Sequence, residues 1–468
     1  MAIYYVDFSG GDDTKDGQSV ANAWKTITKV NAAALVAGDS VLFKRGETWT
    51  GIVLNVTWSG ALNNPITFGA YGDGSLPVID GNNVVNCIIA NNAEHLTFEN
   101  IECAQGLDYG FGFSNSDFVT MTDCEAHGCG NDNVIFITGC HDCTVTRGRF
   151  YNAYERTPTV TSTGIEIADD CYNITITGAE CYDNEGTYGQ GISIHSHAAT
   201  GIPYNVILDG CVCYGNDVYG IQIAKQNNVA ESSRNILIRN CTAYDNGTGG
   251  IRITTTVANY SNGIMVDGCH SRDNGTRALF LQGDNLTIRR SMFDGVVYAT
   301  ACDGLKFHNN TCYLPAGAGA YALYLANARA ASNEVKNCVV YCAASGGMAI
   351  GVDATVTAAE VDIDYNLYYL AAEAITAARW YWRGTAYGYA DWLTNSTQDA
   401  NSPAPANPLF VSVPDDNFRL QSGSPAIGAG TDVGLFYSGA APDLGAYERW
   451  ARRGATRLHL AGAHEEDD

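Results

Sequence analysis

The chain has 468 residues, of which 51 are glycine and only 16% are charged, and its formal net charge is -24. An acidic chain is a poor partner for nucleic acid, because that binding depends on neutralising phosphates with basic side chains. No apolar run approaches the length of a membrane span, so we expect no membrane partner either. Scarce charge and abundant glycine are typical of a β-rich, turn-rich chain.

The first part of the chain predicts a cap on a stack of strands. Residues 24–35 place apolar side chains at helical spacing. Strand-like alternation resumes at residues 38–51. An open-ended β stack needs its terminal rung covered to prevent edge pairing. We therefore expect residues 1–60 to form an N-terminal cap that contains a helix and the first strands.

One pattern, GIxI, returns four times in the middle of the chain and indicates a solenoid. Each copy is followed by a second apolar alternation and then by a turn that ends in asparagine, with a period of about 30 residues. Stacked copies would bury their isoleucines in one continuous core. The four copies are at residues 164–170, 191–197, 220–226 and 250–256.

The residues between the isoleucines point away from the core, because alternate side chains of a strand face opposite sides. Stacking then forms two outward columns. The first holds Glu166, Ser193, Gln222 and Arg252, and the second holds Ala168, His195, Ala224 and Thr254. We expect the first column to continue through Ile88, Gly112 and Ile135 on one side and through Phe280 and Tyr324 on the other. Polar groups at the centre with apolar and aromatic groups beyond them are the layout of a sugar-binding groove.

The repeats predict about twelve rungs over residues 61–371. After residue 371 the pattern fades, and residues 372–382 and 389–395 are predicted to be helical. Residues 372–448 form the predicted C-terminal cap, and residues 449–468 form a tail. Many of the 16 cysteines recur at aligned repeat positions, which indicates a buried packing ladder.

Segments at both ends and in the middle carry a family resemblance. Residues 4–27 and 38–49, the repeated NITIT and CYDN segments, and residues 407–430 and 442–448 resemble proteins of the pectate-lyase-like superfamily. That resemblance implies an all-β fold, a right-handed parallel β-helix. The superfamily contains polysaccharide lyases, glycoside hydrolases, epimerases and phage tailspikes, so the resemblance does not select an activity.

A closer match to the polygalacturonase signatures fails at two positions. The segments ADDC, GQGISIHS and GIRIT resemble them, but Gln190 stands where that family has its catalytic histidine. Thr254 likewise stands where the family has a lysine. We attribute the match to the shared repeat pattern.

The ionisable residues of the central rungs favour a lyase that cleaves a uronic-acid glycan by β-elimination. That reaction needs a base near the sugar ring and a group that neutralises the substrate carboxylate. We expect His195 or Lys225 to be the base and Arg252 to bind the carboxylate or stabilise the enolate. The predicted catalytic residues are His195, Lys225, Arg252 and Glu166.

Further residues are expected to bind the substrate and a metal ion. Tyr188 and Tyr219 each come just before a GIxI strand and could donate a proton or stack on a sugar. The predicted substrate-binding residues are Tyr188, His197, Tyr219, Gln222, Thr254 and Phe280. Glu166, Asp169 and Asp170 are predicted to anchor Ca²⁺, because hard cations take clustered oxygen ligands.

Two alternatives stay open on the same groove. A glycoside hydrolase needs two carboxyl groups roughly 5 to 9.5 Å apart, and no second carboxylate stands next to Glu166 in its column. A non-catalytic glycan-binding or structural β-helix, such as a phage tailspike component, is the other. We expect a polysaccharide as partner, and a monomer, or a homotrimer in the tailspike case. The expected location is extracellular or virion-associated, with no signal peptide visible in the sequence.

Overall fold

The chain folds into a parallel β-helix in which three sheets run side by side along the molecule, with parallel pairing throughout except for the last pair of strands in the second sheet. The computed structural model describes residues 1–157, 161–197, 201–224, 234–254, 263–317, 319–327, 333–343 and 345–449. Within these ranges the three sheets contain 14, 14 and 13 strands. The all-β prediction is confirmed, and the rung number agrees with the predicted value of about twelve.

The strands follow one another through the three sheets in turn, so that each coil adds one strand to each sheet. The first sheet contains Ile3–Val6, Ser40–Lys44, Ile66–Tyr71, Glu94–Glu99, Asp117–Thr122, Thr144–Thr146, Tyr172–Thr177, Tyr204–Asp209, Arg234–Arg239, Ile264–Asp267, Thr287–Arg289, Lys306–His308, Asn333–Lys336 and Val361–Asp364. The second contains Leu54–Val56, Ile88–Asn91, Tyr109–Ser114, Asp132–Ile137, Ser162–Ala168, Gly189–His195, Tyr219–Ala224, Gly249–Thr254, Arg277–Gln282, Val297–Thr300, Tyr321–Ala326, Met348–Val352, Trp380–Trp382 and Thr385–Tyr387. The third contains Thr48–Thr50, Val78–Asp80, Glu102–Ala104, Glu125–His127, Arg149–Tyr151, Glu180–Tyr182, Val212–Tyr214, Thr242–Tyr244, His270–Arg272, Met292–Asp294, Thr311–Leu314, Val339–Cys342 and Leu367–Leu370.

The third sheet corrects one sequence expectation. The segments that close each repeat were expected to be turns, yet Glu180–Tyr182 and Val212–Tyr214 are parallel strands. Three residues are too few for an alternation of apolar and polar side chains to be recognised. On the outside of this sheet the rings of Tyr151, Tyr182 and Tyr214 stack at 4.7 to 4.8 Å between centroids.

The core is a single column of aliphatic, aromatic and cysteine side chains inside the coils. The isoleucines of the GIxI copies are buried, as the alternation predicts. All 16 cysteines are buried thiols, which confirms the packing ladder.

Asparagines form a second, polar ladder at the edge of the core. The side chain of Asn184 donates to Asn216 Oδ1 at 2.8 Å, and Asn216 donates to Asn246 Oδ1 at 2.9 Å. Asn246 continues the ladder to Asn274 at 2.9 Å. Because buried polar groups need hydrogen-bond partners, each amide depends on the next coil for its own.

The N-terminal helix is shorter than predicted. Residues 24–35 were expected to be helical, but the α-helix spans Ile27–Asn31, preceded by a 3₁₀ turn at Val20–Asn22. Thr26 caps the helix by accepting from the Lys29 amide, while Trp24 is extended and forms a bridge with Val6. A capping threonine leaves the residues before it outside the helix.

At the C-terminal end, one of two helix predictions is confirmed. The helix Tyr389–Ser396 matches the expected 389–395, and a 3₁₀ turn lies at Ala358–Glu360. The predicted helix at 372–382 is wrong, because Trp380–Trp382 is a strand that pairs antiparallel with Thr385–Tyr387. Trp380 and Trp382 are both buried. Residues two apart lie on the same face of a strand, so this spacing suits a strand and not a helix.

The segment after this helix lies along the third sheet and not across the end of the stack. A hairpin of Phe410–Ser412 and Asn417–Leu420 buries Phe410 and Phe418 against Val339 and Leu367 of that sheet. Farther along, the Ala446 amide donates to Thr311 Oγ1 at 3.0 Å. The predicted cap 372–448 thus has two parts, a helix at the end of the stack and a hairpin-containing segment packed on the side of the third sheet.

No described helix has the length and apolarity to cross a membrane.

Asp399 holds the end helix in place. Its carboxylate accepts from Trp392 Nε1 and from the Tyr368 hydroxyl, both at 2.8 Å, and also from Ser402 and Asn366. Burial outweighs these hydrogen bonds and raises the pKa of Asp399 to about 6.

The stability of this cap is therefore expected to fall as the pH rises. An aspartate in an unfolded chain has a pKa of about 3.9, below the folded value of about 6. Between these two pH values the folded state binds more protons than the unfolded state. The free energy of unfolding is therefore highest below pH about 4 and falls by about 3 kcal/mol as the pH rises through about 6. Protection factors of the Tyr389–Ser396 amides, obtained from hydrogen exchange at pH 4 and pH 7, measure this loss of stability. The Asp399→Asn variant should lose this dependence, and an equal dependence in both proteins would contradict the assignment.

Candidate functional site

The predicted outward column stands on the second sheet. The strand register places Glu166, Ser193, Gln222 and Arg252 side by side, followed by Phe280. The column then continues through Tyr298, which was not among the predicted positions, to Tyr324. On the other side it holds Ile135, Gly112 and Ile89. The expectation of Ile88 is wrong, since that side chain faces the core and is fully buried.

The second column brings His195 beside Ala168, and Ala224 beside Thr254. The two columns are in contact within the strand Gly189–His195, where His195 of the second column lies against Ser193 of the first. His195 Nδ1 lies 3.0 Å from Ser193 Oγ. Both side chains are buried, so this contact fixes the orientation of the imidazole.

A compact cluster of titratable groups surrounds Glu166. Its Oε2 accepts a 2.6 Å hydrogen bond from Thr161 Oγ1. Its Oε1 lies 3.1 Å from His197 Nε2 and 3.8 Å from His195 Nε2. Among the described residues none donates a hydrogen bond to Oε1, although the Glu166 side chain is fully buried. We call Glu166, His195 and His197 the histidine–glutamate cluster.

Asp169 orients the outer histidine of this cluster. Both Asp169 and Asp170 have left-handed backbone conformations, with φ of 42° and 59°, which turn the chain sharply after the strand Ser162–Ala168. Asp169 then accepts from the His197 backbone amide at 2.7 Å and lies 3.3 Å from His197 Nδ1. His197 thus lies between the carboxylates of Asp169 and Glu166.

The protonation states of the cluster follow from its burial and charges. The neighbouring carboxylates of Asp169 and Glu166 raise the pKa of His197 to about 10. Burial lowers the pKa of His195, so that ring is neutral at pH 7. Burial raises the pKa of the Glu166 carboxyl, but the two imidazoles and Thr161 more than offset it, and the net pKa lies below its usual value. At neutral pH the cluster pairs a carboxylate with a protonated, partly exposed His197.

Arg252 begins a ladder of guanidinium and aromatic groups. Its guanidinium lies 5.1 Å from the Tyr219 ring centre and 5.9 Å from that of Phe280. The Arg277 guanidinium lies 5.0 Å from the rings of both Phe280 and Tyr298. We call these five residues the aromatic–arginine ladder. All five are partly exposed, so the ladder is a surface that a ligand can reach.

Two neighbours hold Arg252 in one orientation. Its Nε donates to Thr254 Oγ1 at 2.9 Å, and its Nη1 donates to Gln222 Oε1 at 3.2 Å. A guanidinium carries five N–H donors, so three are not used by these two contacts. An oriented fork of this kind matches the two oxygens of a carboxylate.

The other predicted site residues are more dispersed. Tyr188 is 40% exposed and lies immediately before the strand Gly189–His195. Asp170 is exposed, and its carboxyl group faces Gly201 of the next coil. Lys225, predicted as one of two bases, lies outside the described residues. The catalytic and binding roles assigned from the sequence to all these residues stay predictions.

One carboxyl group on the coil next to that of Glu166 was not predicted from the sequence. Asp132 is 2% exposed and accepts from the Thr163 amide at 3.1 Å, on the coil that carries Glu166. Burial, together with the nearby Glu166 charge, raises the pKa of Asp132 well above its usual range. Asp132 starts its strand three residues before Ile135, outside the alternating positions that were used to trace the column. A search for every acidic residue at a strand end would have found it.

The donors around Glu166 do not suit the predicted Ca²⁺. Calcium takes six to eight oxygens, whereas Glu166 Oε1 faces two imidazole nitrogens. Asp169 uses its oxygens on His197 and Ser196. Within the described residues, Glu166, His195 and His197 are the group whose donor atoms come within 4.8 Å of one another.

Comparison with known proteins identifies the fold. The profile of a family described as "Right handed beta helix region" matches residues 70–231 and 228–367, more than half of the chain. Among solved structures, the complex of XylC with xylose has a TM-score of 0.52 at 10% identity, over 79% of this chain and 84% of that one. Pectate lyase Pel9A has a TM-score of 0.48 at 17% identity, over 96% of both chains.

A curated relative shares a short stretch of sequence. Lacto-N-biosidase of Bifidobacterium longum subsp. longum is 42% identical over 86 residues. This stretch is 17% of the present chain and 5% of the relative. The chain therefore spans only a small part of the relative that it matches.

Proposed function

The chain belongs to the family of right-handed β-helix proteins, and from that premise we propose that it is a polysaccharide-active enzyme whose site is the outer face of the second sheet. The observation that carries this proposal is the aromatic–arginine ladder beside the histidine–glutamate cluster. Aromatic faces receive sugar rings, and an oriented guanidinium receives an acidic group.

The ladder favours a glycan that contains uronic acid. The net charge of -24 would repel an acidic polymer from most of the surface. Arg252 and Arg277 supply two positive charges at consecutive strands of the site, at the positions where aromatic rings also lie. A neutral glycan would need the rings but would gain nothing from the two guanidinium groups.

We assign the reaction as β-elimination. The substrate carboxylate would bind Arg252, which makes the neighbouring C–H more acidic and stabilises the enolate formed when a base removes that proton. The electron pair then expels the glycosidic oxygen at the adjacent carbon and leaves a C=C bond in the sugar, while the leaving oxygen takes a proton.

Of the two bases predicted from the sequence, we retain Lys225. His195 is 2% exposed, and its Nε2 faces His197 and Glu166. A group enclosed in this way does not reach a sugar ring. Tyr219, whose partly exposed ring lies 5.1 Å from the Arg252 guanidinium, is the proposed acid for the leaving oxygen.

Hydrolysis is the second candidate, and one pair of residues favours it. The environments of Asp132 and Glu166 push their pKa values apart, as in a general acid and its partner carboxylate. The similarity to lacto-N-biosidase supports a glycoside hydrolase as well. Both carboxyls are almost fully buried, at 2% and 0% exposure, which leaves the more accessible Arg252 as the better substrate contact.

The experiment that separates the two is product analysis on a panel of uronate and neutral polysaccharides. Elimination creates an unsaturated sugar with a new ultraviolet absorbance, whereas hydrolysis creates reducing ends without it. We expect the absorbance with at least one uronate polymer and its loss in Lys225→Ala. Reducing ends alone, lost in Asp132→Asn, would establish the hydrolase. If neither product forms with any polymer, a glycan-binding or structural role is the remaining interpretation.

A further inference from the structure

The histidine–glutamate cluster has the arrangement of a three-ligand metal centre. Its three facing atoms are His195 Nε2, His197 Nε2 and Glu166 Oε1, separated by 3.1, 3.1 and 3.8 Å. Ligand atoms bonded to zinc at about 2.0–2.1 Å in a tetrahedron lie about 3.3–3.4 Å apart. The observed separations bracket that value without any movement of the three side chains.

The atoms on the far side of each ligand are held as a metal centre requires. His197 Nδ1 faces the Asp169 carboxylate at 3.3 Å, and a carboxylate only accepts, so Nδ1 carries a proton. His195 Nδ1 lies against Ser193 Oγ at 3.0 Å, and Glu166 Oε2 accepts from Thr161 at 2.6 Å. Such outer partners fix the ring orientations of metal-binding histidines and raise their basicity.

Two features of the cluster call for a positive ion at its centre. The two Nε2 atoms face each other at 3.1 Å, where two lone pairs repel unless a proton or a metal ion lies between them. Glu166 Oε1 is buried and accepts no hydrogen bond from the described residues. A buried carboxylate oxygen without a donor is costly. A protonated His197 places one positive charge beside this oxygen, whereas a metal ion at the centre satisfies all three atoms at once.

We propose that Glu166, His195 and His197 form a binding site for Zn²⁺ or a similar divalent transition metal. Two imidazoles and one carboxylate are the ligand set of known catalytic zinc sites, which keep a fourth position open. His197 has a side chain that is 39% exposed, so the open position lies toward the outer face of the sheet. The site takes nitrogen donors and therefore selects against Ca²⁺. Metal binding here is independent of whether the protein cleaves a glycan.

Equilibrium dialysis of the chelator-treated full chain against ZnCl₂ tests the site. We expect one equivalent of Zn²⁺ per chain, and no displacement by an excess of Ca²⁺. His197→Gln, at the most exposed ligand, should weaken binding at least about 100-fold, since even outer partners contribute about 10–100-fold. His127→Gln is the matched control, because His127 also lies 3.1 Å from a glutamate, Glu102, and it should bind as the wild type does.

A second variant and a spectrum guard against loss of folding and against binding by cysteine. Asp169→Asn leaves all three ligands in place and should weaken Zn²⁺ binding about 10-fold or more. Co²⁺ in the site should show d–d absorption of a nitrogen and oxygen environment without thiolate charge-transfer bands. No bound equivalent, unchanged affinity in a folded His197→Gln protein, or thiolate bands would each overturn the proposal, and the cluster would then be a metal-free ion pair.

Discussion

Arg252→Ala is expected to lower kcat/KM on a uronate polysaccharide by about 10²–10³-fold, the effect of removing one oriented charge-stabilising donor from an active site. The side chain lies between Tyr219 and Phe280, and Gln222 and Thr254 hold its guanidinium. This group therefore needs little reorganisation when a carboxylate arrives. Initial rates of unsaturated product formation, measured over a range of polymer concentrations, give the value.

Matched variants separate the role of Arg252 from a loss of charge or stability. Arg239→Ala removes the same charge from the first sheet, where Arg239 pairs with Asp209 at 2.8 Å on the surface, and it should keep its activity. Arg252→Lys keeps the charge but loses the planar fork, so its activity should fall between those of the wild type and Arg252→Ala. Equal rates for Arg252→Ala and Arg239→Ala would remove Arg252 from the site.

Asn216→Ala is expected to destabilise the fold by about 3–6 kcal/mol, because it leaves several buried groups without partners. The Asn216 side chain accepts from the amide and side chain of Asn184, and it donates to Asn246 Oδ1 and the Cys181 carbonyl. Each of these groups is buried between coils, so water cannot replace the lost bonds. Urea unfolding followed by circular dichroism measures the loss.

An exposed asparagine of the same repeat provides the control. Asn205 donates to Asn173 and accepts from Asn235, both at 3.0 Å, on the solvent side of the first sheet. Its φ of 54° favours glycine over alanine as the replacement. Asn205→Gly should change stability by no more than about 0.5 kcal/mol, since water satisfies the freed groups. A similar loss of stability in Asn216→Ala and Asn205→Gly would show that burial does not determine how much the asparagine ladder contributes to stability.

The repeat itself was readable from the sequence because it depends on local alternation. Two isoleucines separated by one residue define which side of a strand is inside, and four aligned copies define which residues become neighbours. The column from Glu166 to Phe280 follows from those two facts, and the strand register agrees with it. The error at Ile88 arose where the chain offers no GIxI copy, since a shift of one residue exchanges the two faces of a strand.

Contacts across coils were decided by the tertiary structure alone. Two consecutive left-handed residues, Asp169 and Asp170, turn the chain sharply after the strand that carries Glu166. His197 then comes between the two carboxylates, a position that no spacing in the sequence specifies. Asp132 joins the site from the preceding coil for the same reason.

The sequence by itself determined the solenoid, the side of each central strand that faces outward, and the buried cysteine ladder. These properties depend on alternation and repetition, which single residues carry along the chain. Only the tertiary structure decided that the polar residues form two distinct groups, a nitrogen-rich cluster around Glu166 and a ladder around Arg252. Their chemistry depends on distances and burial between residues about 30 positions apart, and those are set by how the coils stack.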